Sequence, residues 1–181
     1  VAHDGRRVAG RRMDQGETAM KLRPIHVLIL SLFASAASAQ SLQVQRPVPY
    51  SEDGDIADKI KQECTINEQL ADFLQEYAKE KGIAVQFTDG AVDKAASGRV
   101  LDLRITNAIS MGNAFLGHQK GTTAAGTLYE NGQKIASFKA RRHSMGGAFA
   151  GYKGSCSVLG RTVKVMGQDI AAWLTAPVDG A

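Results

Sequence analysis

The sequence predicts an α/β (α+β) two-layer sandwich, with an antiparallel-rich sheet of about four strands and two helices on one face. Apolar residues recur at helical spacing near both ends of the predicted domain, and between them they alternate with polar residues. The Asn131-Gly132 pair is typical of a tight hairpin, because both central residues of a type I′ turn need positive φ.

The N-terminal part has the pattern of a secretory leader. In residues 20–39 a basic start precedes the apolar run Ile25–Phe33 and a small-residue A-x-A site. We therefore expect cleavage between Ala39 and Gln40. Residues 1–19 are polar and are interpreted as an upstream extension, untranslated or disordered, with a cloning artefact as the alternative.

Charge and hydropathy then describe the mature chain. The whole sequence carries +4, but residues 1–39 hold six Lys or Arg against three Asp or Glu, which leaves +1 on the rest. This near-neutral balance gives no electrostatic case for nucleic acid. The apolar run of the leader is shorter than the about 20 residues of a membrane span, so we expect no transmembrane anchor and a periplasmic or secreted location.

The mature chain is predicted to be one domain. Residues 40–55 are interpreted as an extended lead-in, residues 56–176 as the α/β domain, and residues 177–181 as a tail. The first helix opens at Ile56 and ends near Gly82, which is a good helix stop, and a capping-box pattern at 65–68 indicates a break within it.

Four strands are predicted from alternation and from the hairpin signal. They are Ile83–Thr88, then Val100–Ser110, and then the two arms of the hairpin in Thr122–His143, with Gly112–Gly121 as a loop. In the second strand Leu101, Leu103, Ile105 and Ile109 are the residues expected to face inward.

The closing helix carries an apolar stripe at alternating steps of three and four residues. A core-facing helix is the ordinary meaning of such a stripe, and a partner-binding face is the alternative. Pro177 lies just beyond it, where a helix commonly stops. The stripe consists of Cys156, Leu159, Val163, Met166, Ile170 and Trp173.

Cys64 and Cys156 are the only cysteines in the sequence. In an exported protein two cysteines favour a disulfide, and with two the pairing is forced if it forms. Two buried free thiols are the alternative. A catalytic thiol is disfavoured, because nothing in the sequence brings a histidine to either cysteine.

Basic residues near the second hairpin arm are candidate anion ligands. These are Arg141, Arg142 and Lys153, and the glycine-rich loop 146–154 precedes the closing helix. The loop begins with the spacing of a phosphate-binding loop but lacks its Lys-Ser/Thr pair. Protection of a sheet edge and a plain flexible connection are the competing interpretations.

The order of elements resembles small uncharacterised bacterial exported envelope proteins with an α/β domain similar to the N-terminal domain of the translocation protein TolB. The resemblance spans Ile56 to Leu174 and depends on the motifs Ser144–Gly147 and Ala172–Leu174. It implies a binding module without catalysis. The chain departs from lipoprotein relatives in lacking a lipidation cysteine after the leader.

The function predicted is therefore an exported, non-catalytic binding or envelope-accessory module, whose partner is an envelope protein or a cell-wall component. No catalytic set, metal site or cofactor is predicted. One alternative is a secreted enzyme or enzyme inhibitor that uses unconnected residues such as His118 and Arg142. The other is a small-anion binder that uses the glycine-rich loop.

Overall fold

The structure, a computed structural model, describes residues 40–113, 117–144 and 154–181. The predicted extension, the leader, Lys153 and the glycine-rich loop up to residue 153 lie outside these residues. In chain order the elements are β1 (Gln40–Gln45), β2 (Tyr50–Ile56), α1 (Asp58–Glu63), α2 (Ile66–Glu80), β3 (Ile83–Thr88), β4 (Arg99–Asn113), β5 (Gly117–Glu130), β6 (Gln133–Ser144) and α3 (Ser155–Trp173).

The described strands form one mixed sheet of six strands. Their order is β3-β1-β4-β5-β6, and β2 pairs with β4 beside β1. The pairs β4/β5 and β5/β6 are antiparallel, whereas β1/β3, β1/β4 and β2/β4 are parallel. The predicted antiparallel half is therefore present, and a parallel half is added to it.

The two extra strands come from the segment interpreted as a lead-in. Leu42 and Val44 are fully buried, so β1 is a central strand and not a loose approach to the domain. Prolines 47 and 49 have no N–H to donate, and they separate β1 from β2. Among the described residues the helices number three, because the first helical stretch breaks between Glu63 and Ile66.

Both long helices pack on the same face of the sheet. Their buried side chains join those of the strands in one hydrophobic cluster, and the opposite face of the sheet carries mostly polar side chains. This is the predicted two-layer arrangement. Members of the cluster include Leu42, Leu101, Leu103 and Leu128 from the strands, Ile66, Leu70 and Leu74 from α2, and Leu159, Val163, Met166 and Ile170 from α3.

The stripe of α3 faces the core as expected, and its two ends are held by specific contacts. At its start Cys156 forms a disulfide with Cys64, which lies 92 residues earlier at the end of α1. At its end the Trp173 ring meets Phe138 of β6 edge-on, with ring centroids 4.8 Å apart. The helix is thus fixed to α1 at one end and to the sheet edge at the other.

Two details of the strand prediction are wrong. The register of β4 against β5 shifts between Ile105 and Asn107, so Ala108 takes the inward place and Ile109 turns toward the other face. Alternation alone does not reveal such a bulge. The stretch 117–121, predicted as part of a loop, is the start of β5 and pairs with the end of β4.

Two glycines of α3 face α2 and allow the helices to approach closely. A Cβ at Gly167 would lie 2.8 Å from Phe73 Cβ and 3.0 Å from the backbone nitrogen of Leu74. A Cβ at Gly160 would lie 2.7 Å from Gln69 Oε1, which is the movable end of a flexible side chain. Only the first position is therefore closed to a methyl group.

We expect Gly167→Ala to lower the free energy of unfolding by about 1–3 kcal/mol, because the added methyl pushes α3 away from the α2 backbone. Gly160→Ala is the matched control: Gln69 can move aside, and alanine in place of glycine in a helix favours folding by up to about 1 kcal/mol. Urea unfolding of both variants tests this. Equal effects at the two positions would show that α2 and α3 do not approach closely at Gly167.

Candidate functional site

A groove lies between β6 and the last turns of α3. It has a volume of about 260 Å³. Phe138 and Trp173 form its apolar wall, and basic side chains of β6 form its rim. We name this the β6–α3 groove; it is lined by Phe138, Lys139, Ala140, Arg141, Arg142, Asp169, Ile170, Trp173 and Ala181.

The structure places the predicted anion ligands Arg141 and Arg142 next to each other on β6, with different roles. Arg142 Nε donates to Asp169 Oδ2 at 2.6 Å, and this hydrogen bond raises the pKa of Arg142. The pair is partly solvated, with side-chain exposures of 43% and 34%, so its net stabilisation is about 1 kcal/mol or less. Asp169 thus neutralises Arg142, whereas Arg141 and Lys139 form no ion pair with any described residue.

The outer edge of β6 is partly covered by the C-terminal segment. The Gly180 N–H donates to the Ser137 carbonyl, and the Lys139 N–H donates to the Ala181 carbonyl. The Ser137 hydroxyl and N–H donate to Asp179, and these bonds lower the pKa of that carboxyl. The segment therefore covers this part of the β6 edge as a turn, and it does not form a strand.

A second polar region lies beneath the start of α3, and one of its members, Lys120, belongs to the stretch predicted as a loop. The Lys120 ammonium is within 2.8 Å of both Ser110 Oγ on β4 and Ser155 Oγ at the first residue of α3. The two hydroxyl oxygens are also 2.8 Å apart. We name this the Lys120 cluster: Ser110, Lys120 and Ser155.

Burial governs the protonation of this cluster. Lys120 is 4% exposed, and loss of hydration lowers the pKa of its ammonium. The next inward residue of β5, Thr122, continues the polar seam through a 2.7 Å hydrogen bond to Thr162 of α3. Polar contacts therefore join β5 and α3 over two turns of the helix.

Sequence reasoning missed the Lys120 cluster because its members are far apart in the chain and fit no motif. In β5 every second side chain faces inward, and this pattern places Lys120 in the interior. The pattern begins within a stretch that contains glycine and was predicted as a loop. His118 lies in β5 opposite Gly112, and its side chain is outside the described part, as is Lys153.

Within 40–113, 117–144 and 154–181, no group of three or more His, Cys, Asp or Glu side chains could hold a metal ion. No helix in the same ranges has the length and apolar character needed to cross a membrane.

We expect the free energy of unfolding of wild type, relative to that of Lys120→Met, to increase as the pH rises toward about 10. The unfolded chain keeps the lysine proton up to its ordinary pKa of about 10.4, whereas the folded chain loses it earlier. In that window the unfolded state binds more protons, so the free energy of unfolding of wild type rises with pH.

Urea unfolding at several pH values between about 6.5 and 10.5, which spans the ordinary lysine pKa, measures this difference. Lys139→Met is the control, since it removes an exposed lysine from the neighbouring strand. A gap between wild type and Lys120→Met that stays constant over this range would contradict a lowered lysine pKa.

No family model matches the chain, and no curated protein matches it. Among solved structures it is similar to a minor lipoprotein from Acinetobacter baumannii, with a TM-score of 0.42 and 13% identity over 76% of this chain and 94% of that one. It is also similar to the PelC dodecamer from Paraburkholderia phytofirmans, with a TM-score of 0.42 and 12% identity over 72% of this chain and 87% of that one. Both scores are below 0.5, so neither likeness carries an argument about function, and the resemblance to TolB stays a prediction.

Proposed function

We propose that this chain is an exported binding module of the bacterial envelope, and that it holds an extended acidic segment of a partner along β6. The observation that carries the proposal is the edge of β6. That edge already accepts one added segment, Asp179–Ala181, and it continues past this segment without a partner strand among the described residues.

Export is supported by two independent features of the chain. The leader pattern in residues 20–39 directs secretion, and a disulfide between Cys64 and Cys156 persists in an oxidising compartment. A reducing cytosol would keep both thiols reduced. The proposed location is therefore the periplasm or the extracellular medium.

The backbone geometry supports addition of a strand. Ser137 and Lys139 use their outward N–H groups to bind the C-terminal segment. Arg141 and His143 follow at the same two-residue spacing, so their N–H groups point to the same side. An extended peptide can pair with these groups and continue the sheet, which is a common mode of peptide recognition.

The side chains beside this edge define the partner chemistry. Lys139 and Arg141 are exposed cations that form no ion pair with a described residue, although they line a second pocket together with Asp53 and Asp55. Positive side chains of this kind favour an acidic segment. The aromatic wall formed by Phe138 and Trp173 offers a place for an apolar side chain. An acidic residue next to an apolar one is therefore the expected motif.

Site-specific photo-crosslinking in the periplasm tests this function. We expect p-benzoylphenylalanine at position 139, on the edge of β6, to give discrete adducts with an envelope partner. The same amino acid at Lys79, an exposed lysine of α2, is the matched control and should give none. Adding Arg141→Glu should remove the adducts, because it replaces attraction for an acidic segment with repulsion.

Mass spectrometry of the adducts should identify an acidic peptide. Equal adducts at positions 139 and 79, or adducts that survive Arg141→Glu, would contradict the proposal, as would the absence of adducts at both positions.

A small anion is a second candidate ligand for the same cations, because Arg141 and Lys139 both line the β6–α3 groove. Inorganic phosphate separates the two. The anion would be favoured over the peptide by two results together. Phosphate would raise the melting temperature of wild type but not of Arg141→Ala, and position 139 would form no crosslinks.

A further inference from the structure

We propose that the Lys120 cluster is a nucleophilic site for carboxylic esters, in which Ser155 is the nucleophile and Lys120 is its general base. This activity goes beyond the binding role and uses a different region: the cluster lies at the start of α3, whereas the β6–α3 groove lies at its end. Serine–lysine pairs are a known variant of the serine nucleophile and its base.

The geometry meets the first requirement for such a pair. A candidate base has to lie within hydrogen-bond reach of the proton it removes, at about 2.6–3.2 Å between heavy atoms. Lys120 Nζ is 2.8 Å from Ser155 Oγ. Ser155 is partly exposed as a residue, whereas Lys120 is buried.

The second requirement is that the lysine can lose its proton, and the environment of Lys120 favours this. An ammonium cannot accept a proton from a serine, but desolvation lowers the pKa of a lysine and so favours its neutral form. Lys120 is 4% exposed, and its ammonium donates to the two neutral hydroxyls of the cluster. Neither hydroxyl compensates a buried positive charge as a carboxylate would.

Ser110 supplies the orienting group. Its hydroxyl accepts a hydrogen bond from Lys120 Nζ and donates one to Ser155 Oγ, so it contacts both the amine and the nucleophile. A base that is itself positioned by a third group is the recurring signature of an activated nucleophile. Ser110 acts here through the other two residues and is a positioning residue.

The start of α3 provides donors for the developing oxyanion. Gly154 precedes the helix without a side-chain cap, and the first intrahelical bond is that from the Val158 N–H to the Gly154 carbonyl. The N–H groups of the first helical turn therefore have no intrahelical acceptor. Such donors stabilise the negative oxygen of an acyl-transfer intermediate.

The disulfide fixes this first turn. Cys156 directly follows Ser155, and its bond to Cys64 attaches the start of α3 to the end of α1. Because Cys156 is covalently bonded to Cys64, the adjacent Ser155 has little freedom to move relative to Lys120.

The reaction balances without a metal, oxidant or further reactant. Ser155 Oγ forms a bond to the ester carbonyl carbon as its proton passes to neutral Lys120. The carbon–oxygen bond to the alcohol then breaks, and the alcohol leaves with the proton from Lys120. Water adds to the acyl-serine in the same way, releasing the carboxylic acid and restoring both residues.

A lysine that acts as a base in its neutral form also favours one class of substrate, the carboxylic esters. A phosphate ester brings negative charge that calls for a cation, whereas the carbonyl of a carboxylic ester is uncharged until the oxyanion forms. Among the described residues of β6, Arg142 lies opposite Thr122 and is paired with Asp169, and His143 lies opposite Gly121, with its ring against that glycine.

A fluorophosphonate probe, which reacts with activated serines, tests the proposal on the oxidised mature protein. We expect one adduct by intact mass, mapped to Ser155 by peptide analysis. Its rate of formation should rise with pH and level off below the ordinary lysine pKa. Ser155→Ala should abolish labelling, and Ser157→Ala, at an exposed serine of the same helix turn, should leave it unchanged.

Lys120→Arg separates a base from a simple cation. Arginine keeps the positive charge but does not deprotonate, so we expect labelling to be at least about 100-fold slower. Circular dichroism and a thiol count establish that the variant is folded and oxidised. Should it not fold, Ser110→Ala takes its place, with slower labelling at an unchanged site.

The wild-type protein decides the proposal by itself. Failure of Ser155 to react up to pH 9.5, or labelling at several serines at equal rates, would overturn it. A Lys120→Arg protein that is folded and labels as fast as wild type would remove Lys120 as the base. None of these outcomes bears on crosslinking at β6, so the two proposals fail separately.

Discussion

The position of α3 on the sheet depends on how the first turn of this helix is held. The Cys64–Cys156 disulfide closes a loop of 92 residues, for which the chain-entropy estimate is about 4–5 kcal/mol, an upper figure. Ser155 adds polar contacts to Lys120 and Ser110 at the same place. From this fixed start, the helical repeat brings the apolar stripe of α3 over the sheet and Trp173 to its edge.

The two ends of α3 consequently differ in chemistry. At its start, two partly buried hydroxyl groups contact a buried lysine whose charged form is disfavoured by desolvation. At its end, Asp169 neutralises one arginine of β6 and leaves Arg141 exposed to solvent. The first environment suits proton transfer, and the second suits recognition of a charged segment. One helix therefore supports two separable roles without a shared residue.

Much of the architecture could be predicted from residue patterns. The stripe of α3, the alternation of β3 and the Asn131-Gly132 turn each express a local preference, and the structure agrees with them, with positive φ at both turn residues. The structure also contains the expected disulfide. The features that were not predicted depend on non-local contacts. They are the parallel pairing of β1 with β3 and β4, the parallel pairing of β2 with β4, and the bulge in β4 that turns Ile109 away from the core.

The candidate sites were predictable only in part, for the same reason. Arg141 was identified because basic residues cluster on one strand, but its neighbour Arg142 meets Asp169, 27 residues later, through packing of α3 on β6. Ser110, Lys120 and Ser155 come from three elements and carry no spacing signal. A buried lysine becomes visible only when the strand that contains it is placed beneath a helix.

Intact mass spectrometry of the protein exported by its own leader, purified without reductant, tests the central claim most directly, because export and the disulfide underlie the whole account. We expect a chain that begins at Gln40 and is two hydrogens lighter than its reduced sequence. A chain that retains residues 20–39 and has two free thiols would contradict export, the fixed start of α3 and the functions derived from them.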